Sequence, residues 1–154
     1  MQNQGPAKRG IGMLFMMLVK ANRDFEAGAS MNPKLEAAVT KFLDEATARG
    51  MMVAASRLMP SSVGARVRGS SGKIMVIDGP FVETKELVAG YVIFEAESKG
   101  EVVDCCRQLM QLHLDILGPS YDGEFEIRPV FETYADSAGT KLKRPLATPQ
   151  NPHS

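Results

Sequence analysis

The stretch Met13–Lys20, MLFMMLVK, constrains the fold more than any other part of the sequence. It has the length of a β-strand, but seven of its eight side chains are apolar, so it lacks the alternation of a strand with one face in water. Such a run is typical of a central strand that is covered on both faces of its sheet. The sequence therefore predicts a sheet with apolar cover on both sides.

The same stretch also imitates the hydrophobic region of a signal peptide, because Lys8 and Arg9 precede it. However, its apolar part ends at Val19 and is followed at once by Lys20 and Arg23, and a membrane-spanning helix needs about 20 apolar residues. No convincing small-x-small cleavage site follows the run. We therefore interpret it as a buried first strand and expect no membrane segment.

The two cysteines, Cys105 and Cys106, are adjacent in the sequence. On a helix, adjacent side chains point about 100° apart, which suits neither a routine disulfide nor a CxxC redox motif. Free cysteines are usually buried. This cysteine usage favours a reducing compartment, and we expect a cytoplasmic protein.

Two helices are predicted from their capping residues. Asn32 can accept the first free amide hydrogen bonds of a helix, Pro33 suits its first position, and Gly50 is a natural stop. The second helix begins after Ser98, which forms a capping box with Glu101. Each helix carries one apolar stripe, which indicates that one side of it faces the core.

The strands are predicted from apolar or alternating runs that turn residues separate. Besides the first strand, they are expected at residues 51–55, 65–68, 73–77, 87–94 and 124–131, with 65–77 forming a hairpin. The return strand of that hairpin is expected to be the more buried one, and Phe131 is expected to point inward.

The order strand, helix, strand, hairpin, strand, helix, strand predicts an α+β fold that is ferredoxin-like, with an added β-hairpin. Two helices cover only one face of the sheet. A second copy of the chain is the simplest cover for the other face, so we expect a homodimer packed sheet against sheet. The 18 acidic and 18 basic side chains cancel, and we expect no nucleic-acid partner and no attraction to a membrane surface.

The segment at 78–86, DGPFVETKE, is the least generic part of the sequence. With the hairpin before it and Ala-Gly-Tyr at 89–91 after it, the segment closely resembles the signature of the YCII-related, or DGPF, family. DFEAG at 24–28, PSS at 60–62 and IRPVF at 127–131 are similar to the family's pattern as well. The resemblance extends over about residues 13–132, and we expect one YCII-related domain at 11–134. The segments 1–10 and 135–154 are expected to be flexible tails, because the first lacks a periodic apolar pattern and the second is rich in lysine, proline and small polar residues.

This resemblance implies a dimeric α+β barrel, related in architecture to muconolactone isomerase and to small dehalogenating or lactone-processing enzymes. It does not imply one reaction, and family members are often encoded beside extracytoplasmic-function sigma factors. Two functions stay open. One is cofactor-free acid–base chemistry of the lyase, isomerase or dehalogenase kind on a small organic molecule. The other is a non-catalytic dimer that binds a ligand or a protein, linked to sigma-factor stress regulation.

Asp78 is the candidate catalytic residue. At a strand end beside Phe81, its carboxylate is expected to be partly removed from water, as acid–base catalysis favours. Phe81 is expected to form an apolar wall, while Glu83 and Lys85 orient a polar substrate. The alternative for Asp78 is a purely structural role, because an Asx turn accounts for Asp-Gly-Pro without any substrate. The alternative for Glu83 and Lys85 is a solvated surface charge.

Arg57 is a second candidate for substrate binding. Related sequences usually carry glycine-glutamate-glycine-leucine where this chain has ASRL at 55–58, so an acid is lost and an arginine gained. The planar donors of arginine suit a carboxylate or a phosphate. This departure indicates a different, anionic substrate or a loss of activity, and an exposed, solvated arginine is the structural alternative.

The chain has two histidines, His113 and His153, and the sequence predicts neither a metal site nor a cofactor site. His113 is interpreted as a helix-terminal residue that interacts with the helix dipole.

Overall fold

The computed structural model describes residues 12–82 and 84–131; the predicted tails at 1–10 and 135–154 lie outside them. The described chain is α+β. Its elements are β1 (Met13–Lys20), α1 (Arg23–Glu26), α2 (Pro33–Ala48), β2 (Met52–Arg57), β3 (Ala65–Ser70), β4 (Lys73–Asp78), β5 (Val88–Ala96), α3 (Lys99–Leu117) and β6 (Phe125–Pro129). Short 3₁₀ turns cover Ser61–Val63 and Thr84–Glu86.

Four strands form one antiparallel sheet in the order β2-β5-β1-β6. The apolar strand β1 lies inside this sheet, with β5 on one side and β6 on the other, as the sequence predicted. Strands β3 and β4 form a separate two-stranded sheet. Within the described residues of one chain the four-stranded sheet is open, with β2 and β6 at its edges, and no closed barrel forms.

The main core lies between the four-stranded sheet and helices α2 and α3. Phe15 and Phe94, from the two central strands, are 1% and 0% exposed. The helices bury Phe42, Ala46, Val102, Cys105, Cys106 and Leu109 against them. A smaller cluster of Leu14, Ala54 and Ile93 packs on the opposite face, which we call the helix-free face. Strand β1 therefore contributes buried side chains to both faces.

The predicted caps form. The side-chain oxygen of Asn32 accepts hydrogen bonds from the amides of Lys34 (2.9 Å) and Leu35 (3.3 Å), and Ser98 caps α3 by accepting from Glu101 (3.2 Å). Asn22 caps the short helix α1 in the same way, by accepting a hydrogen bond from the amide of Phe25. Among residues 12–82 and 84–131, no helix is both long and apolar enough to cross a bilayer.

Two expectations about burial were wrong. Strand β4 is exposed, with Ile74 80% and Val76 68% accessible, because the hairpin forms its own small sheet beyond the cover of α2 and α3. Phe131 is 87% exposed, because β6 ends at Pro129 and Phe131 has left the sheet. An alternating pattern identified these segments as extended chain but did not identify what packs on them.

Candidate functional site

A cavity of about 480 Å³ lies between the sheet and helices α2 and α3. Small-molecule sites usually measure about 300–1,000 Å³ and have mostly apolar walls with a few polar groups. The walls here follow that description. Their apolar side chains include Met17, Val19, Phe25, Leu35, Val39, Leu43, Val92, Leu109, Leu117 and Phe125.

Four charged side chains line this cavity: Lys20, Asp24, Glu36 and Arg57. The ammonium of Lys20 is already paired, at 3.6 Å, with the carboxylate of Glu126. Among the described residues, the guanidinium of Arg57 forms neither a salt bridge nor a side-chain hydrogen bond. Within the described part of the chain, the candidate binding arginine therefore borders the cavity with no partner for its donors.

An aromatic cluster forms another part of the wall. The ring of His113 stacks on Tyr121, with centroids 5.7 Å apart, and meets Phe125 edge-on at 5.5 Å. All three residues line the cavity. Burial raises the pKa of Tyr121, which keeps its hydroxyl protonated at neutral pH. Sequence analysis placed His113 at a helix end and did not identify this cluster, since its members meet only through the packing of α3 on β6.

Asp78, Phe81 and Lys85, three predicted residues of the DGPF segment, do not line this cavity. Asp78 is the last residue of β4 and is exposed, and Lys85 is exposed in a 3₁₀ turn. Phe81 is half-buried, with the guanidinium carbon of Arg66 4.0 Å above its ring centre. Glu83 lies outside the described residues. The cavity thus includes Arg57 but not Asp78, Phe81 or Lys85.

Ser61 connects the DGPF segment to the cavity wall through hydrogen bonds that we call the Ser61 latch. The hydroxyl of Ser61 donates to Oε2 of Glu26 and accepts from the amide of Phe81 at 3.0 Å. The amide of Ser61 donates to Oε1 of the same glutamate at 3.1 Å. The latch joins the DFEAG, PSS and DGPF pieces, which are distant in the sequence. The family resemblance includes these three pieces, but it predicted no role for Ser61 or Glu26.

Gly79 shows how closely the latch segments approach each other. A Cβ atom at Gly79 would lie 1.7 Å from the carbonyl oxygen of Ser61, a distance that no side chain can occupy. The amide of Gly79 also donates to the carbonyl of Gly64 at 2.9 Å. Glycine is therefore required at this position by direct backbone contact.

The Ser61 latch is connected to the cavity through helix α1. Glu26 belongs to the same short helix as Asp24 and Phe25, and both of these residues line the cavity. Since α1 is one turn long, its position depends on such tertiary bonds. The described residues of the DGPF segment therefore support, through Ser61 and Glu26, a cavity wall that they do not line.

The described residues contain no group of three or more histidine, cysteine or acidic side chains that could hold a metal ion. The two cysteines are buried and unpaired. Burial, assisted by neighbouring Cys105, raises the pKa of Cys106 to about 12, and burial also raises the pKa of Cys105. Both groups are therefore unreactive thiols at neutral pH.

Comparison with known proteins assigns the chain to a family. A sequence model of the YCII-related domain matches residues 13–133. An uncharacterized protein of Rhizobium meliloti (strain 1021) is 36% identical over 81 residues, which are 53% of this chain and 60% of the relative. The chain thus spans less than two thirds of that relative's length.

Proposed function

This chain belongs to the YCII-related family, and from that premise we propose that it binds a small organic acid in the cavity beneath α2 and α3. The observation that carries the proposal is Arg57, whose guanidinium borders a mostly apolar cavity and has no partner among residues 12–82 and 84–131. A planar guanidinium holds a carboxylate through two parallel hydrogen bonds. The apolar walls then receive the hydrocarbon part of the ligand.

The other charges of the cavity favour a ligand with a single negative charge. Asp24 and Glu36 repel a second anionic group, and Lys20 is occupied by Glu126. A doubly charged phosphate is therefore a poorer partner than a monocarboxylate. Arginine alone would accept either a carboxylate or a phosphate, and the other charges of the cavity favour the carboxylate.

The reaction proposed for this site is cofactor-free acid–base chemistry of the lyase, isomerase or dehalogenase kind. Two features of the cavity wall support it, the protonated hydroxyl of Tyr121 and the imidazole of His113. The DGPF segment then acts as a support, through the Ser61 latch. Its predicted direct role, with Asp78 as acid or base and Phe81, Glu83 and Lys85 around the substrate, is the competing assignment.

The proposed assembly is a ferredoxin-like homodimer in which two sheets complete an α+β barrel. The strand order β2-β5-β1-β6 supports the ferredoxin-like assignment, and the apolar cluster of the helix-free face supports a sheet-to-sheet contact. Sedimentation velocity tests it: wild type should be a dimer, and Met16→Glu on that face a monomer. Leu114→Glu, on the outer side of α3, should stay dimeric. A monomeric wild type would refute this assembly.

The ligand class can be tested by isothermal titration calorimetry with phenylpropionate, phenylpropanol and phenyl phosphate. We expect binding in the order carboxylate, phosphate, alcohol. Arg57→Met should weaken phenylpropionate binding about tenfold, near the lower end for a hydrogen bond to a charged group, because Arg57 is partly solvated. Arg68→Met, an equivalent change of an exposed hairpin arginine, should leave the affinity unchanged. Equal affinity of Arg57→Met and wild type would contradict the proposal.

The second candidate function is a non-catalytic dimer that binds a ligand or a regulatory protein. The exposed position of Asp78 favours it, because no acidic side chain among the described residues is buried, as acid–base catalysis would favour. Turnover of a bound acid, followed by NMR of the ligand, separates the two functions. Binding without chemical change over many hours favours this candidate.

A further inference from the structure

We infer that His113 accepts a hydrogen bond from a hydroxyl group of the ligand, which makes the ligand of this cavity a hydroxylated organic acid. The inference rests on the proposed function, since it names the kind of acid that the site selects. It depends on three features of the structure: the tautomer of His113, the fixed position of its ring, and its distance across the sheet from Arg57.

The tautomer follows from one hydrogen bond. Nδ1 of His113 lies 2.8 Å from the carbonyl oxygen of Leu109, one helical turn earlier. A carbonyl oxygen only accepts, so Nδ1 carries the hydrogen and donates it. In the neutral ring Nε2 is then an acceptor with a free lone pair. The cavity wall therefore includes an acceptor that carries no charge.

The ring of His113 is held from two further sides. Tyr121 stacks against its face and Phe125 meets it edge-on, so the imidazole cannot turn without breaking both contacts and the bond to Leu109. A fixed acceptor loses little entropy when a ligand binds. It also discriminates between ligands with and without a hydroxyl group, because a ligand that lacks a hydrogen-bond donor leaves Nε2 facing an apolar group.

The position of this acceptor indicates where the hydroxyl lies on the ligand. Arg57 is on β2, at one edge of the sheet, and His113 packs on Phe125 of β6, at the other edge. Three inter-strand spacings of about 4.8 Å separate these edges, or about 14 Å in all. The carboxylate and the hydroxyl should therefore lie at opposite ends of the ligand, with apolar atoms between them.

The tautomer is testable without any ligand. The chain has only two histidines, so His153→Gln leaves a single imidazole for nitrogen-15 NMR. In mildly alkaline buffer we expect a protonated Nδ1 and an unprotonated Nε2. The opposite tautomer, or fast exchange between the two, would overturn the inference.

The hydroxyl is tested with two matched probes, phenylpropionate and para-hydroxyphenylpropionate. Wild type should bind the hydroxylated acid about tenfold more tightly, as one well-placed hydrogen bond allows. His113→Phe keeps an aromatic ring at the site and should bind both acids equally, near the wild-type affinity for phenylpropionate. Tyr121→Phe, which removes the neighbouring hydroxyl but keeps the stack, should retain the preference.

The outcomes separate this inference from the proposed function. Equal binding of the two acids by wild type, or a preference that survives in His113→Phe, overturns the role of His113 while leaving Arg57 as the carboxylate ligand. A preference lost in Tyr121→Phe and kept in His113→Phe reassigns the hydroxyl to Tyr121. Binding of both acids that is unaffected by Arg57→Met overturns the proposed function instead.

Discussion

The four-stranded sheet and the β3–β4 hairpin are built from similar strands but have opposite environments. Phe94 of the sheet is fully buried beneath the helices, while Ile74 of the hairpin is 80% exposed. An isolated two-stranded sheet has little to bury its apolar side chains against. Apolar residues in a strand pattern therefore indicate extended chain. Whether their side chains are buried depends on whether another element packs on that strand.

The same contrast separates the two candidate sites. The cavity lies in the helix-covered body and has mostly apolar walls, with half-buried His113 on its wall and exposed Arg57 at its border. The DGPF segment follows the exposed hairpin and leaves Asp78 in solvent. The Ser61 latch links the two regions. In this account the most distinctive part of the sequence supports the site from outside.

The largest effect should come from the sheet. Phe94→Ala removes a fully buried ring and should lower the free energy of unfolding by about 3–5 kcal/mol, measured by urea denaturation. The matched hairpin change Ile74→Ala should cost less than about 0.5 kcal/mol at a protein concentration where the chain is monomeric. Similar losses for the two variants would mean that the hairpin is packed on the body.

A smaller effect should come from the junction between the regions. Gly79→Ala places a methyl group against the carbonyl of Ser61 and should cost about 1–3 kcal/mol, as overpacking does. The control is Gly69→Ala in β3, where an added Cβ meets nothing within 4 Å. It should change the free energy of unfolding by less than about 0.5 kcal/mol. Hydrogen exchange at the amide of Phe81 should accelerate in Gly79→Ala alone, and an unchanged rate would argue against the latch.

The last effect appears only at high pH and concerns the stability of the helix-covered body. The pKa of the Cys106 thiol is about 12 in the folded protein and 9.0 ordinarily, so between these values the folded state holds the proton more tightly. The stability is therefore complete below pH 9.0 and falls as the pH rises through this window. Cys106→Ala should show a shallower fall in urea denaturation across the same range. Parallel curves for variant and wild type would show that Cys106 does not contribute to this fall.

Much of the fold was predictable because its signals are local. Asn32 and Ser98 mark helix starts through their own side chains, and the apolar run of β1 identifies a central strand. The helix α1 was missed because a single turn has no periodic pattern. The exposure of β4 was missed because it depends on the absence of a covering helix, which the strand itself does not encode.

The candidate site was predictable only in part. Arg57 was found because it departs from the pattern of related sequences, and it does border the cavity. The aromatic contacts that hold His113 in the cavity wall come from Tyr121 in a loop and Phe125 in β6, which approach the end of α3 only in the folded chain. Ser61 and Glu26 are 35 residues apart, so their bond is invisible to any local pattern.

The central claim is that a ligand binds in the cavity and not at the DGPF segment. The most direct test is a proton–nitrogen NMR titration of the wild-type protein with phenylpropionate, with all backbone amides assigned. The account predicts the largest shift changes at amides that line the cavity, such as Ala55, Gly90 and His113, with those of Asp78 and Lys85 nearly unchanged. Changes concentrated at Asp78, Phe81 and Lys85, with the cavity amides unmoved, would contradict it.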